Sequence, residues 1–156
     1  MFHYIFLLGL LTQTPSNCLC KANEKIVFTF LTQNNKIVSV CSEKFDKYLV
    51  YRFGTQVKTE LQYPAVLDET SWQEFELYSY FRGGGKENAG VDENHLSFTN
   101  NEVRYEIFED FSTLDNRINI GVTVTDAQFR IKLKGLLKTK NGDLKSLEGK
   151  VLISDF

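Results

Sequence analysis

The sequence predicts an all-β fold: a single-domain antiparallel barrel or sandwich of about eight to ten strands built from consecutive hairpins. Three observations predict it. Apolar residues recur with a period of two along most of the chain, the pattern of half-buried strands. β-Branched and aromatic residues dominate each run. The runs are short and separated by turn-forming Asn, Asp and Gly, with no stretch of helical period long enough for a crossover.

The first two strands are Ile26-Val27-Phe28-Thr29-Phe30-Leu31 and Lys36-Ile37-Val38-Ser39-Val40-Cys41, flanking Gln33-Asn34-Asn35. Asn tolerates positive φ, so this segment reads as a hairpin. Tyr48-Leu49-Val50-Tyr51-Arg52-Phe53 and Val57-Lys58-Thr59-Glu60-Leu61-Gln62-Tyr63 form a second hairpin about Gly54, stopped by Pro64. Phe75-Glu76-Leu77-Tyr78-Ser79-Tyr80-Phe81 follows, then a loop over residues 83–94. Ser71-Trp72-Gln73-Glu74 has the form of a capping box and could instead open one helical turn, but the alternation beyond it argues for strand. A third hairpin joins His95-Leu96-Ser97-Phe98 to Val103-Arg104-Tyr105-Glu106-Ile107-Phe108 through Asn100-Asn101. A fourth joins Ile118-Asn119-Ile120-Gly121-Val122-Thr123-Val124 to Phe129-Arg130-Ile131-Lys132-Leu133-Lys134 near Asp126. Asn141-Gly142 marks a turn before a weak terminal segment, Val151-Leu152-Ile153.

The chain opens with an apolar run, Met1 to Leu11, free of acidic residues and followed by polar, turn-prone residues 12–17. That layout is a secretory signal peptide, here without a Lys or Arg ahead of the apolar core. At about ten residues the run is half the roughly 20 that a membrane-spanning helix needs, so removal is expected rather than retention as an anchor. The boundary reads as residues 1–18 leader and 19–156 a single all-β domain. The competing reading is a buried N-terminal strand or helix. A lipid anchor on Cys18 or Cys20 is a second competitor, but the residues ahead of each cysteine are poor matches to the small-residue box it needs.

Composition is that of a chain able to bury a core, with 42% hydrophobic and 13% aromatic residues and two prolines. A net charge of -2 gives no bulk attraction for nucleic acid or an anionic membrane. Charge is unevenly distributed. Residues 67–116 hold twelve acidic and three basic side chains, residues 127–150 seven basic and two acidic. Strands from the two regions could pair and cancel, or the first could form an acidic face for a cationic partner.

After cleavage two cysteines remain, Cys20 and Cys41, an even count in an oxidising compartment, so a disulfide is expected there. Closing a loop of about twenty residues, it would stabilise the fold by about 3 kcal/mol. A reactive thiol pair is the alternative, but redox pairs usually sit as Cys-x-x-Cys at a helix start.

Val27-Phe28-Thr29-Phe30, Val38-Ser39-Val40-Cys41, Tyr51-Arg52-Phe53-Gly54 and Glu60-Leu61-Gln62-Tyr63-Pro64 resemble a group of small exported bacterial proteins with no assigned activity. Arg82-Gly83-Gly84-Gly85, Leu96-Ser97-Phe98-Thr99-Asn100 and Gly121-Val122-Thr123-Val124 extend the likeness over most of the mature chain. In that group the first strand commonly carries a Cys where this chain has Phe30, and another Cys lies near the end. Their joint absence fits the loss of one complete disulfide, leaving Cys20 and Cys41 to pair. The resemblance implies export and brings no mechanism.

Catalytic patterns are sparse. His95 is the sole histidine after the leader, which excludes multi-histidine zinc sites and HExxH chemistry. A hydrolase centred on His95 with Ser97 or a carboxylate is permitted by count, but the chain has no Gly-x-Ser-x-Gly elbow. Glu74 with Glu76, or Glu106 with a strand neighbour, could form an acid/base pair, although strand residues two apart simply share a solvated face. Arg82-Gly83-Gly84-Gly85-Lys86 departs from a phosphate loop at both defining positions, Tyr80 and Glu87. Asp92, Glu93 and Asn94 lack calcium-loop spacing. No cofactor or metal is implied.

Tyr51, Arg52, Tyr63, Tyr78, Tyr80 and Arg82 are the candidate partner-binding residues, because Tyr and Arg are enriched in protein interfaces; equally, such residues fill a core and cover its rim. The expected function is a non-enzymatic periplasmic or secreted module that binds or inhibits another protein, without nucleic acid and without stable membrane insertion. The alternatives are a small-ligand carrier with an apolar barrel cavity and the His95 hydrolase.

Overall fold

In the computed structural model, which describes residues 17–154, eleven strands form two sheets. The predicted leader, apart from Asn17 and Cys18, lies outside the described residues. β1 (Glu24–Leu31), β2 (Ile37–Glu43), β3 (Leu49–Thr55) and β4 (Lys58–Tyr63) make an antiparallel meander, and β10 (Asn141–Gly142) pairs with β1, giving the order β10-β1-β2-β3-β4. β5 (Glu76–Arg82), β6 (Val91–Asn100), β7 (Val103–Ser112), β8 (Arg117–Thr125) and β9 (Arg130–Lys134) make a second meander, and β11 (Leu152–Ile153) adds in parallel to β5. The result is an all-β sandwich, not a closed barrel. One corner is stitched: Gln33 N–H donates to the Lys134 carbonyl and Leu136 N–H to that of Leu31.

Local sequence explains the turns. Asn35 holds φ +58° in the first hairpin, and Asn101 and Glu102 hold +49° and +66° in the tight turn between β6 and β7. Asp126 closes the β8–β9 turn by accepting the N–H groups of Gln128 and Phe129 on Oδ1. The Ser71 region forms a short 3-10 helix, Glu69–Glu74, capped by Asp68, whose side chain accepts the Thr70 N–H.

Alternation sends one face of each sheet inward. Phe28, Phe30, Val38, Val40, Leu49 and Tyr51 meet Phe75, Leu77, Leu96, Phe98, Ile107 and Val122 across the interface, and Leu144 and Leu147 close one end. Burying each such side chain contributes about 1.5–3 kcal/mol. Phe98 lies at the centre of an aromatic stack, with Tyr63 at 4.4 Å and Tyr105 at 4.9 Å on near-parallel planes. The space between the sheets is therefore occupied by side chains along the line of this stack.

The outer face of the five-stranded sheet is also buried over β2 and β3, because the segment ahead of β1 crosses it, while β4 stays exposed. Leu19 N–H donates to Ser39 Oγ at 2.9 Å, and Cys20 is joined to Cys41 with Cα atoms 5.6 Å apart. The disulfide expected from the cysteine count is present, and it ties this strap to β2. Below it Arg52 Nη1 and Nη2 donate to the Glu24 carboxylate at 2.6 and 2.9 Å, an ion pair with 2% and 0% of its side chains exposed.

Candidate functional site

The outer face of the six-stranded sheet differs from that buried surface. The registers of β5 to β9 align Tyr78, His95, Phe108, Gly121 and Lys134 in one row across five strands. On one side lies the row Tyr80, Glu93, Asp110 and Asn119, and on the other Glu76, Ser97, Glu106, Thr123 and Lys132. Period-two alternation puts all of these on one face.

Gly121 shapes the middle of the face. A Cβ there would sit 2.5 Å from both the Phe108 ring and the Leu133 carbonyl oxygen, so its absence lets Phe108 lie down across β8. Lys132 covers the same ring with its ammonium 4.2 Å from the centroid. An outward-pointing phenylalanine is thereby left only 2% exposed. The Tyr78 ring stacks on Tyr80 at 6.5 Å and meets His95 edge-on at 5.7 Å.

His95 lies among carboxylates. Its Nε2 is 2.7 Å from Asp110 Oδ1 and its Nδ1 3.6 Å from Glu106 Oε1. Burial alone would lower its pKa, but the Asp110 hydrogen bond and the charges of Asp110, Glu106 and Glu93 outweigh it and hold the imidazole above its ordinary value. Ser97 Oγ accepts from Arg104 at 2.9 Å. The acidic neighbours thus favour the charged imidazole, which offsets them, and the Ser97 oxygen serves an arginine.

Beyond Phe108 the face turns basic. Arg130, Lys132 and Lys134 alternate outward along β9, and none forms an ion pair among the described residues. Elsewhere the acidic and basic regions do meet: Glu109 pairs with Lys140, and Asp92 with Lys145 at 3.9 Å. A cleft of about 430 Å³ opens between Phe108, Asp110, Asn119, Lys132, Lys134 and Gln33, and a neighbouring one of about 230 Å³ shares the two lysines and Gln33.

The six residues singled out from sequence do not form one surface. Tyr51 is 1% exposed and packs on Phe98 in the core, where burial pushes its phenol well above the ordinary value. Arg52 is spent on Glu24, Gln62 and the Leu19 carbonyl under the strap. Neither presents a side chain to a partner, and for one physical reason: β3 is central in its sheet and is covered on both sides. Tyr63 sits at the rim of the stack with its hydroxyl donating to Glu74, and burial together with that carboxylate pushes its pKa up to about 12. Tyr78, Tyr80 and Arg82 do share the outer face of β5; Arg82 donates to the Ala89 carbonyl and fastens the loop before β6. Sequence reasoning passed over Phe108, Gly121, Lys132 and Lys134. The alternating Arg130-Ile131-Lys132-Leu133-Lys134 was the available signal.

Asp92 and Glu93 fall on opposite faces of β6 and do not converge on an ion. Among the described residues the sulfur atoms of Cys18, Cys20 and Cys41 lie within 4.8 Å of one another, two of them joined as the disulfide. Comparison of the chain with protein-family models, curated proteins and solved structures finds no match.

Proposed function

We propose that this chain is an exported, non-enzymatic module that docks another protein on the outer face of its six-stranded sheet, between Tyr80 on β5 and Lys134 on β9. One observation carries the reading. The face combines polar-tipped aromatics with an open cleft and cations that no carboxylate of the described residues neutralises, the composition of an interface with its partner removed. Rigid strands hold these groups in fixed register, so little ordering cost remains at docking. Export is supported by the Cys20–Cys41 disulfide and by the leader-like opening, and among the described residues no helix is long and apolar enough to cross a membrane. The likeness to small exported bacterial proteins points the same way. An internal carrier is disfavoured by the aromatic stack that fills the space between the sheets.

The test is affinity capture from extracytoplasmic extract with the tagged mature protein, run beside a Lys132→Glu/Lys134→Glu variant and beside Val57→Asp on the opposite sheet, where Val57 is 95% exposed. A protein held by wild type and by Val57→Asp but lost from the double variant is the expected result. Retention of nothing above a bare-resin control, or equal retention by all three, overturns the proposal.

A further inference from the structure

We infer that β9 is an open docking edge and that its occupant is an extended segment of a partner protein in which acidic and apolar residues alternate; this rests on the binding-module reading above and names the chemistry of the partner. The backbone supplies the first part. Gly135 N–H donates to the Ile120 carbonyl and Asp126 N–H to that of Phe129. Antiparallel pairs alternate between hydrogen-bonded and non-bonded positions, so residues 129, 131, 133 and 135 turn their main-chain groups toward β8. Arg130 and Lys132 therefore turn theirs outward, to an edge that no other strand of the described residues covers. Lys134 confirms the direction, since its outward carbonyl accepts the Gln33 N–H at 2.9 Å. That bond marks where the open edge ends.

The side chains supply the second part. Arg130, Lys132 and Lys134 line the outer face of the edge, while Phe129 and Ile131 lie on the inner face at 42% and 50% exposure. A strand added at the ordinary inter-strand spacing would place its own alternate residues beside these two sets. Carboxylates on one side would meet Arg130 and Lys132, with Lys134 at the closed end of the edge, and apolar groups on the other would cover Ile131 and Phe129. A second copy of β9 fits badly, because antiparallel self-pairing sets cation against cation. Lysines on an edge are a common guard against self-association. Here they guard against like-charged edges while leaving an acidic strand welcome.

The experiment uses the intact protein and labelled nine-residue peptides followed by fluorescence anisotropy. One peptide alternates glutamate and valine, a second blocks the same residues together, and two more are N-methylated at every second amide, one in each frame. The alternating peptide is expected to bind at least about tenfold more tightly than the blocked one, and methylation in one frame to abolish binding while the other frame spares it. Lys132→Glu is expected to weaken binding by about tenfold or more. Arg130→Glu, at an exposed position without the Phe108 contact, is expected to do the same and separates lost charge from a disturbed fold. Equal binding of alternating and blocked peptides, indifference to both methylation frames, or tighter binding of a sulfated polysaccharide than of any peptide overturns the inference. If the peptides fail while capture still returns a partner sensitive to Lys132 and Lys134, only the strand-addition inference falls. Should capture return nothing, the binding-module reading falls with it.

Discussion

Removing the Glu24 carboxylate should destabilise this fold more than any other single charge deletion on it. In Glu24→Gln the Arg52 guanidinium stays in place at 1% exposure, with Gln62 on Nε and the Leu19 carbonyl on Nη1. The two Nη donors now held at 2.6 and 2.9 Å lose an anionic acceptor, and the Lys21 N–H and the Tyr48 hydroxyl lose the same carboxylate. Leaving a buried charge without its counter-ion costs about 3–5 kcal/mol. For a domain of this size that is about 10 °C or more in Tm. Urea unfolding measures it directly, with an unchanged m-value expected. Replacing both partners, Glu24→Met with Arg52→Met, should cost less than either single change, because the desolvation penalty leaves with the charges. A Glu24→Gln protein within about 1 kcal/mol of wild type, or a double variant as unstable as the two singles summed, would refute the reasoning.

Burial alone would raise the Glu24 pKa, but the Arg52 and Lys21 hydrogen bonds and the Arg52 charge hold it below the ordinary carboxyl range. Its stabilisation is therefore present above the unfolded pKa and lost as pH falls through the folded one, and Glu24→Gln should flatten the acid limb of the stability curve. His95 has the opposite sign: with its folded pKa raised, the contribution is complete below the unfolded value and fades as pH rises through the folded one, so His95→Gln should remove a stability loss that wild type shows as pH rises past the ordinary imidazole range in chemical denaturation. Gly121→Ala should cost about 1–3 kcal/mol by driving Phe108 off β8, whereas Gly83→Ala, with nothing within 4 Å of the added carbon, should be neutral; paired melts read both. Cys41→Ser should lose the whole staple, about 2–5 kcal/mol, while Cys20→Ser in a chain that keeps Cys18 should lose less, since Cys18 can bridge to Cys41; disulfide mapping by mass spectrometry checks the pairing.

Most of the strand order could be read from the chain because its signals are local. Nine runs of alternating residues became β1 to β9, and the Asn-rich turns adopted the positive φ angles that asparagine tolerates. One miss is local: Gly54 lies inside β3 at a bulge, and the turn falls at Gln56-Val57. The others are non-local. Val91-Asp92-Glu93-Asn94 reads as loop because it is polar, yet it extends β6: Asn94 is buried with its amide satisfied by Ser79 and Asp92, and β5 supplies the backbone partners. Asn141-Gly142 reads as a turn and does bend, but its neighbour Asp143 also donates to the carbonyl of Val27 at a bulge in β1, which makes it a two-residue strand. Nothing in residues 151–153 announces a parallel pairing with β5. The site followed the same division. Tyr78, Tyr80 and Arg82 could be placed together from period two alone, whereas the fate of Arg52 was decided by Glu24, 28 positions away. The role of Phe108 depended on a glycine from the next strand.

The most direct test of the docking surface is hydrogen–deuterium exchange on the tagged protein with and without the partner it captures. Added protection is predicted in Arg130–Lys134 and in the facing stretch of β8, with the β3–β4 hairpin unchanged. Protection confined to that hairpin or to the Tyr63 rim, with β9 exchanging as in the free protein, would contradict the account.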